Sequence, residues 1–232
     1  MSARHTFDNL PSAKQARITR IALEEFSRHG YRQTSINTIV KRLGIAKGSI
    51  FQYFGDKRGL FMFIFDMSLE KVKDFLRGVR DATEDEPFAT RLEKTLKAGV
   101  RFINTHPVLY RLYLRAMFES QIPFRAELLA AIRTYSHEFL CSLLATARDR
   151  GEVRADNDLD AAGFVLDAVL DRFLQAQSIE HLDAGLGLYR IDEADAARWI
   201  AHITDLVCRG VSKGRDKGRE GIKVIRDRDE EG

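Results

Sequence analysis

The chain has 232 residues, 44% hydrophobic and 31% charged, enough for one large domain, or a small one joined to a larger one, with a real core. No apolar run approaches the roughly 20 residues of a membrane-spanning helix, and the opening MSARHTFDNLP lacks the apolar core of a signal peptide. Cys141 and Cys208 are too few for a disulfide framework, so the cytoplasm is the expected compartment. The net charge of +3 hides an asymmetry: residues 1–60 hold 11 Lys/Arg against 4 Asp/Glu, whereas residues 61–212 hold 19 against 24. A basic head on an acidic body suggests a head that meets a polyanion; a surface merely uneven in charge is the alternative.

Four prolines, no low-complexity run and almost no β-branched alternation predict an all-α fold. A first helix is expected over residues 12–29, with Ile18, Ala22 and Phe26 on one stripe and Gly30 where a left-handed C-terminal cap belongs. Thr34 or Ser35 can cap a second helix. In it Ile36, Ile39, Val40 and Leu43 fall at i, i+3, i+4 and i+7, and Gly44 forces the stop. A short third helix covers residues 46–53. Asp56 then reads as the N-cap of a long fourth helix, with Leu60, Phe61, Ile64, Phe65, Leu69, Val72 and Leu76 as its apolar side. After the polar connector DATEDEP, periodic stretches near 88–105, 107–118, 124–150, 158–178 and 193–212 complete nine helices. Pro107 fits a first-turn position and Gly151 a stop. The implied division is a head, 1–55, a body, 56–212, and a tail, 213–232, which mixes both charges and reads as a solvated extension.

The stretch GIAKGSIFQYFGDKRGLF, residues 44–61, breaks its helices unusually often. Two short helices meeting at Gly44 form a helix-turn-helix, whose tight corner needs left-handed backbone that glycine adopts without steric cost. Ile36, Val40, Ile50 and Phe54 would hold the pair against the first helix. The outer face of the third helix then carries Lys47, Gly48, Ser49 and Gln52, groups suited to a helix in the major groove of DNA. Lys57, beside the unpaired amides of the fourth helix, makes a phosphate clamp. Arg4 and Lys14 can reach a neighbouring groove or phosphate, or belong to a frayed terminus.

The segment TSINTIVKRLGIAKGSIFQYFGDKRGLF resembles the DNA-binding segment of the TetR (tetracycline-repressor) family, a likeness that extends over about residues 14–65. The resemblance implies a homodimeric, ligand-responsive transcriptional repressor that binds double-stranded DNA and is released by a small-molecule effector. It implies DNA contacts from Ser35 and Asn37 on the second helix, from Lys47, Gly48, Ser49, Phe51 and Gln52 on the recognition helix, and from Tyr53 and Lys57 to phosphates. Phe51 stands where the family usually has tyrosine, which leaves apolar contact alone and makes it more a core residue than a reader. Ala46 replaces the common Ser/Thr cap, which weakens the start of the third helix by about 1 kcal/mol. Val40 stands where alanine is frequent, implying a slightly wider crossing. Phe54 is expected in the core and Tyr53 with its polar tip outward.

Reading a palindrome takes two heads about 34 Å apart, so the body should dimerise. By analogy with the family the last two helices provide the face: Val165, Leu166, Val169 and Phe173 on one, Trp199, Ile203 and Leu206 on the other. Burial of these faces within one subunit is the alternative. The helices over 88–150 are rich in aromatic residues, and the resemblance implies that Phe102, Tyr110, Tyr113, Phe118, Tyr135 and Phe139 surround an effector pocket; plain core is the other reading. Arg111, Arg115, His137, Asp167 and Asp171 are its polar candidates, the arginines suiting an anionic amphiphile and the aspartates a cation. No Gly-rich phosphate loop, nucleophile motif or clustered metal ligands is legible, so neither catalysis nor a cofactor nor a metal is expected. The six histidines are scattered, and His202 with Asp205 reads as an ordinary hydrogen-bonded pair. The rival readings are a DNA-binding activator or architectural protein without an effector, and a helical carrier or enzyme whose basic head is incidental.

Overall fold

The computed structural model describes residues 3–211, with side chains from residue 6 onward; the tail 213–232 and the side chain of Arg4 lie outside the described residues. Ten helices and no strand occur among them: α1 (Ala3–Asp8), α2 (Ser12–Gln33), α3 (Ile36–Leu43), α4 (Lys47–Phe54), α5 (Lys57–Ala82), α6 (Phe88–Thr105), α7 (Pro107–Phe118), α8 (Arg125–Asp149), α9 (Leu159–Ser178) and α10 (Glu193–Val211). The helix not foreseen is α1, whose six residues are too few for an apolar period to register. Tertiary packing holds it: Phe7 is buried, with its ring 4.9 Å from Phe63, 5.0 Å from Phe54 and 6.2 Å from Tyr53.

The head is built on α2, α3 and α4. Gly30 has the expected positive φ of 70°, but its ψ of 179° is extended, so a further turn follows it instead of a cap. Thr34 does not cap α3; its hydroxyl donates to the Gly30 carbonyl at 2.6 Å and the Glu25 carbonyl at 3.1 Å, closing that turn. Ser35 occupies the N-cap position of α3 without a side-chain capping bond. At the corner Gly44 is left-handed, φ 68° and ψ 34°, with its amide on the Lys41 carbonyl at 3.3 Å. Arg42 fastens α3 to α2, donating to Glu25 at 2.7 Å and Glu24 at 2.5 Å. Asp56 caps α5 as expected, accepting from the Gly59 amide at 2.7 Å. There α5 approaches the end of α4 so closely that a Cβ on Gly59 would lie 1.9 Å from the Phe54 carbonyl oxygen.

Burial does not stop at residue 55. One apolar cluster joins Ile18, Phe26, Ile39 and Ile50 of the head to Leu60, Phe61 and Ile64 of α5, then to Leu112 and Ala116 of α7 and Leu128 of α8. A second gathers α6, α8, α9 and α10 around Leu92, Leu96, Leu143, Leu144, Leu166 and Ile200. Each long helix gives one stripe to a cluster and its charged face to solvent, as the sequence period requires.

Candidate nucleic-acid interface and ligand cavity

The two sides of α4 differ sharply. Ile50 and Tyr53, three residues apart, point inward at 0% and 6% exposure. Lys47, Gly48, Phe51 and Gln52 are exposed, Ser49 is half-buried, and Ser35 and Asn37 at the start of α3 are exposed beside them. A short helix with small and hydrogen-bonding residues outward can lie close to base edges, because nothing bulky holds its backbone away.

Three residues stand otherwise than the sequence suggested. Phe51 faces outward, with the Lys47 ammonium 5.9 Å from its ring centroid, so it is not a core residue. Tyr53 is buried, its ring 6.2 Å from that of Phe7, and not turned outward, whereas Phe54, half-buried, packs on the core as expected, its ring 5.0 Å from those of Phe7 and Phe63. Lys57 is already engaged: its ammonium donates to the Arg32 carbonyl at 2.9 Å and sits 4.9 Å from the centre of the Tyr31 ring. Burial pulls its pKa below the usual lysine value, partly offset by Glu119. The ammonium has three N–H donors, so two remain for a phosphate beside its bond to Arg32.

A cavity of about 220 Å³ lies in the body, lined by α5, α6, α7, α8 and α9 and partly open. Phe102, Tyr110, Tyr113, Tyr135 and Phe139 line it as expected, but Phe118 does not: it lies past the cavity at the end of α7 and is 58% exposed. Arg111 is exposed and off the cavity wall. The polar corner centres on Arg133, which sequence reasoning missed. Its guanidinium donates to Asp167 at 2.8 Å, Asp171 at 2.6 Å and the Tyr113 hydroxyl at 2.9 Å. Tyr113 donates to Asp171 in turn, and Ser136 to Asp167. Burial, reinforced by Asp171, pushes the Tyr113 hydroxyl well above the usual tyrosine range, so it stays protonated. Burial opposes the charge on Arg133, but the two aspartates outweigh it and raise its pKa. Arg133, Asp167 and Asp171 are the charged residues of the wall, one cation against two anions, so the lining carries a net charge of −1.

Helix α7 joins cavity to head. Leu109, Tyr110, Leu112 and Tyr113 face the cavity; one turn on, Arg115 donates to the Arg28 carbonyl at 2.7 Å and the Ser27 carbonyl at 3.4 Å, in α2 just before its break. Arg58 of α5 pairs with Glu127 of α8 at 2.8 Å. Arg115 is therefore a link to the head and not a ligand group.

On α9 and α10 the anticipated dimer face divides. Leu166 and Phe173 are buried inside the chain, and Trp199 and Ile203 pack partly against the second cluster. Phe164, Val165 and Leu206 are 69%, 54% and 70% exposed, and Val169 is half-buried. Sequence periodicity showed two apolar sides here; the inner one is used within the chain. Asp205 pairs with Arg209 at 2.9 Å in place of the expected His202. A cluster of possible metal ligands does exist, His137, Cys141 and Asp160, where the sequence reading found none. The i, i+4 spacing of His137 and Cys141 on one helix was the available signal.

An outward-facing short helix behind a glycine corner, carried on a body with a hollow interior, defines a helix-turn-helix DNA-binding regulator. Residues 18–62 match the model of bacterial regulatory proteins, tetR family. The probable acrEF/envCD operon repressor of Escherichia coli K12 is 27% identical over 177 residues, 73% of this chain and 77% of that protein. The HTH-type transcriptional regulator YhgD of Bacillus subtilis is 28% identical over 97 residues, and there the chain spans only 49% of the relative's length. Among solved structures, a TetR family transcriptional regulator from Chloroflexus aurantiacus is 28% identical with a TM-score of 0.64, covering 90% of this chain and 98% of that one. FadR of Bacillus subtilis in complex with stearoyl-CoA shares the fold at 18% identity and a TM-score of 0.66, over 84% of this chain and 98% of that one. The head, over residues 18–62, is thus a tetR-family DNA-binding domain, and the rest of the chain is similar in fold to TetR-type regulators.

Proposed function

We propose that the protein is a homodimeric repressor whose 1–55 head binds a palindromic operator and whose 56–212 body releases it when a small molecule fills the cavity. The observation that carries the reading is the tie between the two sites: α7 lines the cavity with Tyr110 and Tyr113 and grips α2 through Arg115. Filling the cavity displaces α7, α2 follows, and the spacing of two heads changes between DNA-competent and incompetent states. Ser35, Asn37, Lys47, Gly48, Ser49, Phe51 and Gln52 form the reading surface, with Lys57 reaching a phosphate through its remaining N–H donors. Phe164, Val165, Val169 and Leu206 supply the exposed part of the dimer face. We read the protein as a regulator in the cytoplasm, not an enzyme.

The cavity chemistry narrows the effector. Its wall is almost wholly apolar, and Arg133 is neutralised by two aspartates with one negative charge to spare. A free carboxylate brought to that corner meets Asp167 and Asp171, whereas a neutral donor or a cation is welcomed. The effector is therefore an apolar molecule with a hydrogen-bond-donating or cationic end. The stearoyl-CoA bound by the FadR neighbour offers a second candidate, a long acyl chain, which suits the apolar wall but not the charge.

The test is a footprint on DNA flanking the protein's own gene, followed by titration of apolar amines and of fatty acyl thioesters. Protection of an inverted repeat that an apolar amine abolishes supports the whole reading. No protection at any flanking site contradicts the DNA-binding part, and release by acyl thioesters alone contradicts the charge argument.

A further inference from the structure

The cluster on the outer seam of α8 and α9 has no part in the cavity or the head. His137 Nε2 lies 3.1 Å from Asp160 Oδ1 and 3.5 Å from Cys141 Sγ, and Cys141 Sγ lies 4.0 Å from the same Asp160 oxygen. One nitrogen, one sulfur and one oxygen thus form a closed triangle. Zinc bonds of about 2.0–2.3 Å in tetrahedral geometry separate such donors by about 3.3–3.6 Å, values that the triangle brackets.

Its surroundings keep the donors together, with the Cys141 thiol donating to the Leu159 carbonyl at 3.4 Å until a metal displaces its proton. Cys141 is a free thiol. Asp158, not Asp160, caps α9, accepting from the amides of Asp160 at 3.0 Å and Ala161 at 3.1 Å, so the Asp160 carboxylate is not engaged in capping. At Gly163 a Cβ would lie 2.7 Å from Cys141 Sγ, so the absence of a side chain there lets the thiol sit against α9 beside the other donors. The His137 and Cys141 side chains are half-buried and that of Asp160 is exposed, which gives a solvated ion a way in.

We propose that His137, Cys141 and Asp160 bind a thiophilic divalent cation of the zinc class, with water or a further donor in the fourth position. Binding displaces the thiol proton to solvent and shifts the imidazole proton from Nε2, where it is donated to the Asp160 carboxylate, to Nδ1, which frees the Nε2 lone pair for the metal; no redox change is involved. The ion clamps the first turn of α9 to the middle of α8, one turn before the exposed Phe164 and Val165. The choice of metal follows from the donors: thiolate with imidazole selects zinc over magnesium or calcium, which take oxygen ligands.

The experiment adds Co²⁺ to the full chain, freed of metal, and reads thiolate-to-cobalt absorption and the visible bands of a tetrahedral ion. One Co²⁺ per chain is expected, with the absorption abolished by added Zn²⁺, lost in C141S and retained in C208S. In D160N, a change at a side chain 89% exposed, cobalt affinity falls about tenfold or more. Circular dichroism of each variant confirms that it is folded. The proposal is overturned if the wild-type chain shows no thiolate–cobalt absorption, if C141S keeps it, if C208S loses it, or if D160N binds Co²⁺ as tightly as wild type.

Discussion

Single side chains in the head separate backbone strain from steric collision. Gly44 and Gly59 both become alanine at the cost of one methyl, but nothing crowds a Cβ at Gly44, whereas at Gly59 it meets the Phe54 carbonyl. Gly44→Ala therefore carries only the left-handed penalty, about 1 kcal/mol, and lowers Tm by about 2–4 °C. Gly59→Ala must drive α4 and α5 apart and costs distinctly more in urea unfolding; equal losses for the two would contradict the geometry. Charge gives a second test. The Arg42 hydrogen bond, against some desolvation, holds the Glu24 carboxyl below the usual glutamate value of 4.5. A depressed carboxylate stabilises the fold above its unfolded pKa and loses that contribution as pH falls through the folded one. Stability thus declines below about pH 4.5, and Arg42→Ala should flatten that part of the pH profile in denaturant titrations.

Among the helices, α7 runs from the cavity wall to α2, so the proposed coupling is tested there. Replacing Arg115 by alanine leaves the cavity wall intact but frees the Ser27 and Arg28 carbonyls. Operator affinity without ligand is expected to change little, while the ligand-induced loss of affinity shrinks by about 1–3 kcal/mol, measured by fluorescence anisotropy with and without an apolar amine. Undiminished release in this variant would place the coupling elsewhere. What the sequence disclosed is clearest at this scale. Pro107, Asp56 and Gly44 mark their boundaries because each acts through its own backbone chemistry, whereas the cavity's aromatic residues follow from the family resemblance, since helical spacing alone fits plain core as well. Arg133 escaped notice because a charged residue inside a long helix looks solvated until its partners are placed, and those partners are 34 and 38 positions away. Tyr53 is more buried than its polar tip suggested because Phe7, on an unforeseen helix, packs over α4 against both Tyr53 and Phe54.

For the molecule as a whole, a basic head and an acidic body divide the work before any fold is considered, and the fold gives each half a surface to match. The exposed Phe164 and Leu206 stand on the face that a second copy would cover. Phe164→Asp together with Leu206→Asp should leave each chain folded but monomeric in sedimentation, and weaken binding to a full palindrome far more than to a half-site. The claim on which all else rests is that the outer side of α4 reads DNA. Selecting duplexes from a random pool with the full chain, then titrating the selected site against Lys47→Ala, Gln52→Ala and the double variant over a range of salt, tests it most directly. The account predicts an enriched inverted repeat, a salt slope lower by about one unit without Lys47, and about 1–3 kcal/mol of lost discrimination without Gln52. A pool with no enriched sequence, or a double variant that binds the selected site like wild type, would contradict it.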